Sequence, residues 1–405
     1  MRVTHLEAHV VAVPPPHLGG RYWILVRLGT ACGIEGVGEI YAGGLHPEVI
    51  AQAARDVFER CLAGQDPHHV ERLFRLGFSS GFMQRPDPTL MGIVSGLEIA
   101  CWDIIGKAAG QPVYQLLGGL VRERIRSYTY LYPTNDLGEL DFADPALGAA
   151  CAHEMAGRGF TAVKFDPAGV YTAYSGHHLS MPRLDHCEAY TAAVREAVGS
   201  RCDLLIGTHG QMVAASAIRL AKRLEAFDPL WFEEPVPPQD VEGMARVAAA
   251  TTIPIAAGER LTTKYEFHAL LSAKAASIVQ MNLGRVGGLL EAKKIAALAD
   301  IHGAEIAPHL YNGPVGLAAN LQLASCCGNL LMVESILDGG GFHGELLKTG
   351  LAWEQGYFLP PSAPGLGIEV DFTKVAEHAP YRERRLHLEM APSPYDVCDE
   401  SPARG

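Results

Sequence analysis

The chain is expected to fold as an α/β barrel behind a smaller α+β unit, and three observations carry that expectation. Five polar residues each follow a short apolar run: Glu233 in LWFEEP, Glu259 in PIAAGER, Asn282 in IVQMN, His309 in IAPHL and Glu334 in LMVES, at successive gaps of 26, 23, 27 and 25 residues. One strand, one turn, one helix and a return loop need roughly that length, which sets each polar group at the same height on neighbouring parallel strands. Ahead of this ladder the texture differs, with alternating strands followed by helices and no polar group at a repeating interval. Finally, 405 residues with 48% apolar content can bury a large core and exceed one compact unit.

The first 41 residues read as a meander. Thr4 to Val13 and Tyr22 to Leu28 alternate, and Gly33 to Tyr41 supplies a third strand after a turn. Helical spacing follows over Pro47 to Leu62, His68 to Leu76 and Gly92 to Ala109, the last stopped by Gly110 with Pro112 beyond. From about Arg124, strands are expected near Ser127 to Leu131, Ala162 to Phe165, Asp203 to Ile206, Leu230 to Phe232, Ile253 to Ala256, Ser277 to Gln280, Glu305 to Ala307 and Leu331 to Val333. Helices such as Ala214 to Ala226 and Leu289 to His302 carry an apolar stripe and a charged face, as crossover helices should. Beyond the eighth strand, Gly339 to Pro364 is rich in Gly and Pro. PGLGIEVD and RLHLEM then suggest a return to pair with the first unit, ahead of a loosely ordered tail from Pro392. The expected organisation is therefore a cap over 1–123, a barrel over 124–365 and a returning segment over 366–405. The stretch from Pro167 to Pro182, with Tyr171, Tyr174, His177 and His178, is longer than an ordinary barrel loop; it reads equally as a lid and as a packed surface excursion.

Composition excludes several classes of partner. A net charge of −12 without acidic or basic runs marks neither a nucleic-acid groove nor an anionic membrane surface. Nine cysteines, single apart from Cys326-Cys327, match neither zinc spacing nor a secreted disulfide framework. The opening MRVTHLEAHVVAV lacks the order of a signal peptide and no stretch is long enough to span a bilayer. A soluble cytoplasmic protein with a small-molecule partner is expected, and a homo-oligomer, as is common for large barrels.

SGLEIACWDIIGKAAGQPVYQLLGG, from Ser95 to Gly119, together with FEEP, AAGE, GRVGG and PHL at the strand ends, resembles the mandelate racemase and muconate lactonizing branch of the enolase superfamily over nearly the whole chain. The resemblance implies a modified (β/α)7β TIM-like barrel under an α+β capping domain that the C-terminal segment completes. It also implies Mg2+, with Mn2+ as the alternative, held by acidic groups on the third, fourth and fifth strands. Mg2+ takes oxygen ligands and keeps positions open for substrate, which suits removal of a proton alpha to a carboxylate.

Glu233 and Glu259 match the fourth- and fifth-strand ligands. The third strand departs from the pattern, because DLLIGTHGQ puts Gly207 where an Asp is expected. Two substitutes stand open: Asp166, favoured because hard Mg2+ prefers oxygen, and His209, which as a ligand would point to Mn2+ or Zn2+. THGQ is also similar to the HG motif of galactonate dehydratases, which implies His209 as the acid that protonates a departing hydroxyl. His309 matches the base position of the branch. Its sixth-strand partner is Asn282 in place of the usual Asp; Asn282 is expected to accept the ring hydrogen bond but not to stabilise imidazolium by charge. AVKFDP supplies Lys164 and Asp166 facing inward; Asp166 replaces the second Lys of the branch's Lys-x-Lys, which argues against a two-base racemase. Glu334 matches a position that bonds substrate carboxylate.

Arg260, Tyr311 and Asn312 are expected at the same mouth, and the resemblance sets His17, Arg21, Tyr22 and Tyr41 on loops that close over it. LGRVGGLL reads as a tight turn instead of a phosphate cup, and His68 and His69 as residues of a helix entry. The expected activity is dehydration of a sugar acid to a 2-keto-3-deoxy acid. Epimerisation or lactone cycloisomerisation is the alternative, and a barrel that only binds a carboxylate is the second alternative.

Overall fold

A computed structural model describes residues 1–169, 171–174, 177–378 and 381–392. The first unit is an antiparallel sheet, β1 (Val3–Ala12), β2 (Tyr22–Thr30) and β3 (Glu35–Ile40) in that order, covered by helices α1 (Pro47–Cys61), α2 (Val70–Phe78) and α3 (Pro88–Ala109). α3 begins four residues before the position expected from apolar spacing. Asp87 accepts the backbone N–H of Thr89 and Leu90, both at 2.9 Å, and Pro88 is pre-set for the first turn. Gly110 ends the helix in the left-handed region, φ +65°. α3 is long and apolar enough to cross a bilayer by length and composition alone, yet 83% of that window is buried inside the protein.

A short helix, α4 (Val113–Leu116), leads into the barrel. Its strands are β4 (Ile125–Tyr130), β5 (Ala162–Phe165), β6 (Asp203–Gly207), β7 (Trp231–Glu233), β8 (Ile255–Ala257), β9 (Ile278–Val279), β10 (Glu305–Ile306) and β11 (Val333–Ser335). The helices between and beyond them are α5 (Pro145–Arg158), α6 (Met181–Val198), α7 (Ala214–Leu224), α8 (Val241–Ala250), α9 (Lys264–Ser272), α10 (Leu289–Ile301) and α11 (Pro314–Ser325). β4 to β10 pair in sequence order, all parallel, and β11 pairs with β4. Backbone bonds from Leu331 N to Ile306 O (2.9 Å) and from Glu334 N to Pro308 O (3.2 Å) join the eighth strand to the seventh and complete the ring. Tyr128, Ala162, Leu205, Trp231, Ala256 and Ile278, one from each of β4 to β9, with Ala307 and Met332 directly beside β10 and β11, form a separate buried cluster. That cluster is the filled interior of the barrel.

After the eighth strand come α12 (Gly341–Glu345), a hairpin of β12 (Trp353–Glu354) and β13 (Tyr357–Phe358), and α13 (Phe372–Glu377). β13 pairs antiparallel with β4, so the return of the chain first closes the floor of the barrel. Among the described residues the cap sheet keeps three strands, and the expected strand pairing with the cap is replaced by side chains. Arg21 pairs with Glu383 at 3.1 Å, and the buried His387 ring lies 3.0 Å from Tyr22 O and 2.8 Å from Tyr311 O. The tail expected to be loose, from 393 on, lies outside the described residues.

Candidate active site

Strand parity builds the mouth. Side chains two residues beyond the interior cluster point the same way, so the next layer holds Lys164, Gly207, Glu233, Gln280, His309 and Glu334. The layer above it begins with Asp166, His209 and Asn282. Glu259 is out of step with this count. Gly258 adopts φ +131°, and that turn is open to glycine and brings the following carboxylate into the mouth.

Glu233 and Lys164 are fully buried partners, Nζ to Oε1 at 2.6 Å, with Glu334 Oε1 at 3.6 Å from the same ammonium. Burial disfavours the charge on Lys164, but the two carboxylates outweigh it and hold the amine charged. Burial, opposed by Lys164 and aided by the charge on Glu259, pushes Glu233 up to about 7. The other oxygen of Glu233 accepts from Trp231 Nε1 at 3.1 Å and from Gln280 Nε2 at 2.8 Å. Gln280 was not singled out from sequence, although it lies two residues before Asn282 and shares its parity.

Ligand atoms of Glu233, Glu259 and His209 lie within 4.8 Å of one another. Glu259 Oε2 is buried, and beyond the His309 Nε2 contact at 3.3 Å no group among the described residues hydrogen-bonds it. Burial would raise its pKa, yet the nearby His309, His209, Lys164 and Arg260 hold it well below the usual range, so an anion stands there with an unsatisfied lone pair. A divalent cation fits that donor set. Asp166, expected among the donors, is turned elsewhere: Oδ1 accepts Ala168 N–H at 2.8 Å, while Oδ2 meets the Tyr171 hydroxyl and lies 3.2 Å from His209 Nδ1. Tyr171 also touches His209 Nδ1, so the long loop contributes directly to the mouth; Val170, Ser175 and Gly176 of that loop lie outside the described residues. Burial raises the Asp166 pKa. Burial would lower that of His209, but the Glu259 charge and the Asp166 bond raise it.

His309 faces Glu259 Oε2 at 3.3 Å and Glu334 Oε2 at 3.8 Å through Nε2, and burial lowers its pKa against the pull of both carboxylates. Asn282 was expected to accept from this ring, and the structure corrects that. Its Oδ1 is taken by Gly284 N–H at 2.8 Å, leaving Nδ2 to donate to His309 Nδ1 at 2.9 Å. Nδ1 is therefore the acceptor and the ring hydrogen is on Nε2. Glu334 Oε2 also accepts Leu310 N–H at 2.8 Å.

A cavity of about 340 Å³ opens between cap and mouth, bordered by Tyr41, Gly44, Thr89, Arg260, Arg285 and His387. Tyr41 lies 5.9 Å from the His309 ring, with the Arg285 guanidinium 4.5 Å over it. Arg260 is paired with Glu234 at 2.6 Å. Asn312 is buried beneath the cap loop, and Tyr311 meets His387 edge-on at 5.7 Å.

Comparison with known proteins matches residues 9–118 to the mandelate racemase / muconate lactonizing enzyme N-terminal domain and residues 147–375 to the enolase C-terminal domain-like family. The chain belongs to the mandelate racemase and muconate lactonizing branch of the enolase superfamily. D-xylonate dehydratase of Haloferax volcanii is 34% identical over 92% of this chain and 89% of that protein; D-galactonate dehydratase of Ralstonia pickettii is 34% identical over 94% of each. A solved structure from Burkholderia SAR-1, of a protein assigned to the mandelate racemase/muconate lactonizing enzymes, superposes with a TM-score of 0.98 at 65% identity over the full length of both chains. Members of the enolase superfamily bind a divalent metal, and this member offers a His/Glu/Glu cluster for one. Two residues of the Ser95 to Gly119 signature bind the barrel's LGRVGGLL turn. Ser95 Oγ accepts Gly287 N–H at 2.8 Å, and Glu98 accepts Leu289 and Leu290 N–H at 2.7 and 2.9 Å, so the LGRVGGLL turn is capped from the cap domain.

Proposed function

We propose that this protein dehydrates a sugar acid, removing the proton alpha to its carboxylate and the beta-hydroxyl to give a 2-keto-3-deoxy acid. The observation that carries the reading is the convergence of Glu233, Glu259 and His209 within 4.8 Å beside His309, in a chain 34% identical to dehydratases of D-xylonate and D-galactonate. A divalent cation of the Mg2+ or Mn2+ kind, held by Glu233, Glu259 and a third donor, would supply the positive charge that spreads the negative charge building on the substrate carboxylate.

The chain's own groups do the rest. The Lys164 ammonium and Glu334 receive the carboxylate end, and the cavity beside Arg285 takes the hydroxylated end. Burial keeps His309 neutral, so it can take the alpha proton. The C–H electron pair moves into the bond between C2 and the carboxylate carbon. It then returns to form the C2–C3 double bond as the C3–oxygen bond breaks, and the proton on His309 goes out with the hydroxyl as water. The resulting enol ketonises. Because Asn282 favours hydrogen on Nε2, the form that accepts a proton there is the minor tautomer, and the rate carries that cost. Asp166 stands where a two-base racemase of the branch carries its second Lys, which disfavours racemisation. The cap is assigned to 1–123 and the barrel to 124–365; of the segment from 366 on, described residues such as Glu383 and His387 reach the cap.

Incubation with a panel of aldonates and aldarates in Mg2+ or Mn2+, followed by trapping with semicarbazide, tests the reading. At least one acid is expected to give a keto acid. Protein that takes up no metal and turns over none of the panel would leave a carboxylate-binding barrel.

A further inference from the structure

We propose that His209 supplies the third protein ligand of the centre through Nε2, in the space left by the missing third-strand carboxylate, so that the site is one imidazole and two carboxylates. The inference rests on the reading of this mouth as a divalent-cation site, but not on which acid is consumed.

β6 ends at Gly207 without a side chain. A Cβ built there would stand 3.5 Å from His209 Cε1 and 3.4 Å from Lys164 Cε, ordinary contact distances, so the imidazole fills the volume beside the strand end that a longer side chain would use. The backbone bends to achieve this. His209 adopts φ +46°, a left-handed conformation unfavourable for a non-glycine residue. It is followed by Gly210 at φ +73°.

The ring is also held as a ligand should be. Nδ1 is 3.2 Å from the Asp166 carboxylate, with the Tyr171 hydroxyl against both. A carboxylate acceptor keeps the hydrogen on Nδ1 and leaves the Nε2 lone pair facing away, the arrangement by which metal-bound histidines are oriented. A carboxylate oxygen of Glu259, 7% exposed as a residue, stands within 4.8 Å of the ring's ligand nitrogen. Asp166 is then a positioning residue. The assignment also removes His209 from the acid role its THGQ context suggests, since a nitrogen whose lone pair is shared with a cation cannot deliver a proton. The proton for the departing hydroxyl comes from His309.

An imidazole in the set shifts selectivity away from Mg2+ and towards first-row transition ions, Mn2+ being the weakest-binding of these and the most convenient probe. The test is pulsed electron paramagnetic resonance of Mn2+ added to the full-length protein, with metal affinity measured by calorimetry for Mn2+ and Mg2+. Wild type is expected to show the nitrogen coupling of a directly bound imidazole, to lose it in His209→Ala, and to keep it in His309→Ala. Asp166→Asn is expected to retain the coupling while weakening Mn2+ binding by about 10- to 100-fold. Mn2+ bound to wild type without nitrogen coupling, coupling that disappears with His309 instead of His209, or failure of Mn2+ to bind at all would each overturn the proposal. Nitrogen coupling from His209 in a protein that dehydrates no acid would leave the ligand assignment standing and sink the dehydratase reading alone.

Discussion

Asn282 decides which nitrogen of His309 carries the hydrogen, Nε2 being the one that faces the mouth. A carboxylate in its place would accept from Nδ1, turn the lone pair of Nε2 towards the substrate, and stabilise the imidazolium by charge. Asn282→Asp is therefore expected to move the acidic limb of the pH–rate profile up by about one unit or more, because a base of higher pKa is protonated at higher pH. A limb that stays where wild type has it would contradict the pairing. The same contact marks how far residues can be read from sequence. That His309, Asn282, Glu233 and Glu259 share a mouth follows from their spacing. The direction of the Asn282 amide does not, because it is set by Gly284 N–H, a backbone group whose position depends on the turn after β9. The surroundings of Asp166 were hidden for a similar reason: its parity is inward as expected, but the Ala168 N–H and the loop with Tyr171 meet its two oxygens.

At the scale of elements, the cap is bolted to the barrel by carboxylates at helix starts. Glu98 on α3 caps α10 across the domain junction, and burial pushes its pKa up to about 7 against the two backbone N–H groups and Trp102. A carboxyl group raised above its unfolded value of 4.5 contributes most stability below that pH and loses it as pH rises through about 7. Glu98→Gln is expected to remove that slope, on the order of 3 kcal/mol between pH 4 and 8. Chemical denaturation of both proteins across that range checks it; parallel curves would contradict the shift. The strands and crossover helices were legible because period 2 and period 3.6 differ so clearly. The start of α3 was not, since its first turn is fixed by the Asp87 cap and not by an apolar stripe. Nor was the C-terminal return, which reaches the cap through His387 and Arg21–Glu383 without a strand for alternation to betray.

For the molecule as a whole, a cation that binds only the folded mouth should stabilise the chain by mass action, about 2.7 kcal/mol at a hundredfold excess over its dissociation constant. Mn2+ is expected to raise the unfolding temperature of wild type and not of Glu259→Gln; equal shifts in both would assign the effect to another site. The cavity lies between cap and barrel and is lined from both. Its Arg285 reaches Glu259 O at 2.9 Å with no carboxylate partner among the described residues. Arg285→Gln is expected to raise KM for a preferred acid about tenfold, the weight of one charged hydrogen bond, with a smaller change in kcat. An unchanged KM would remove the cavity from substrate binding. The most direct test of the central claim is mass spectrometry of a sugar acid turned over in D2O with Mn2+ present. Dehydration predicts a product lighter by one water that carries one solvent deuterium at C3. Recovery of the acid with deuterium at C2 and no loss of water would show enolisation without dehydration and contradict the account.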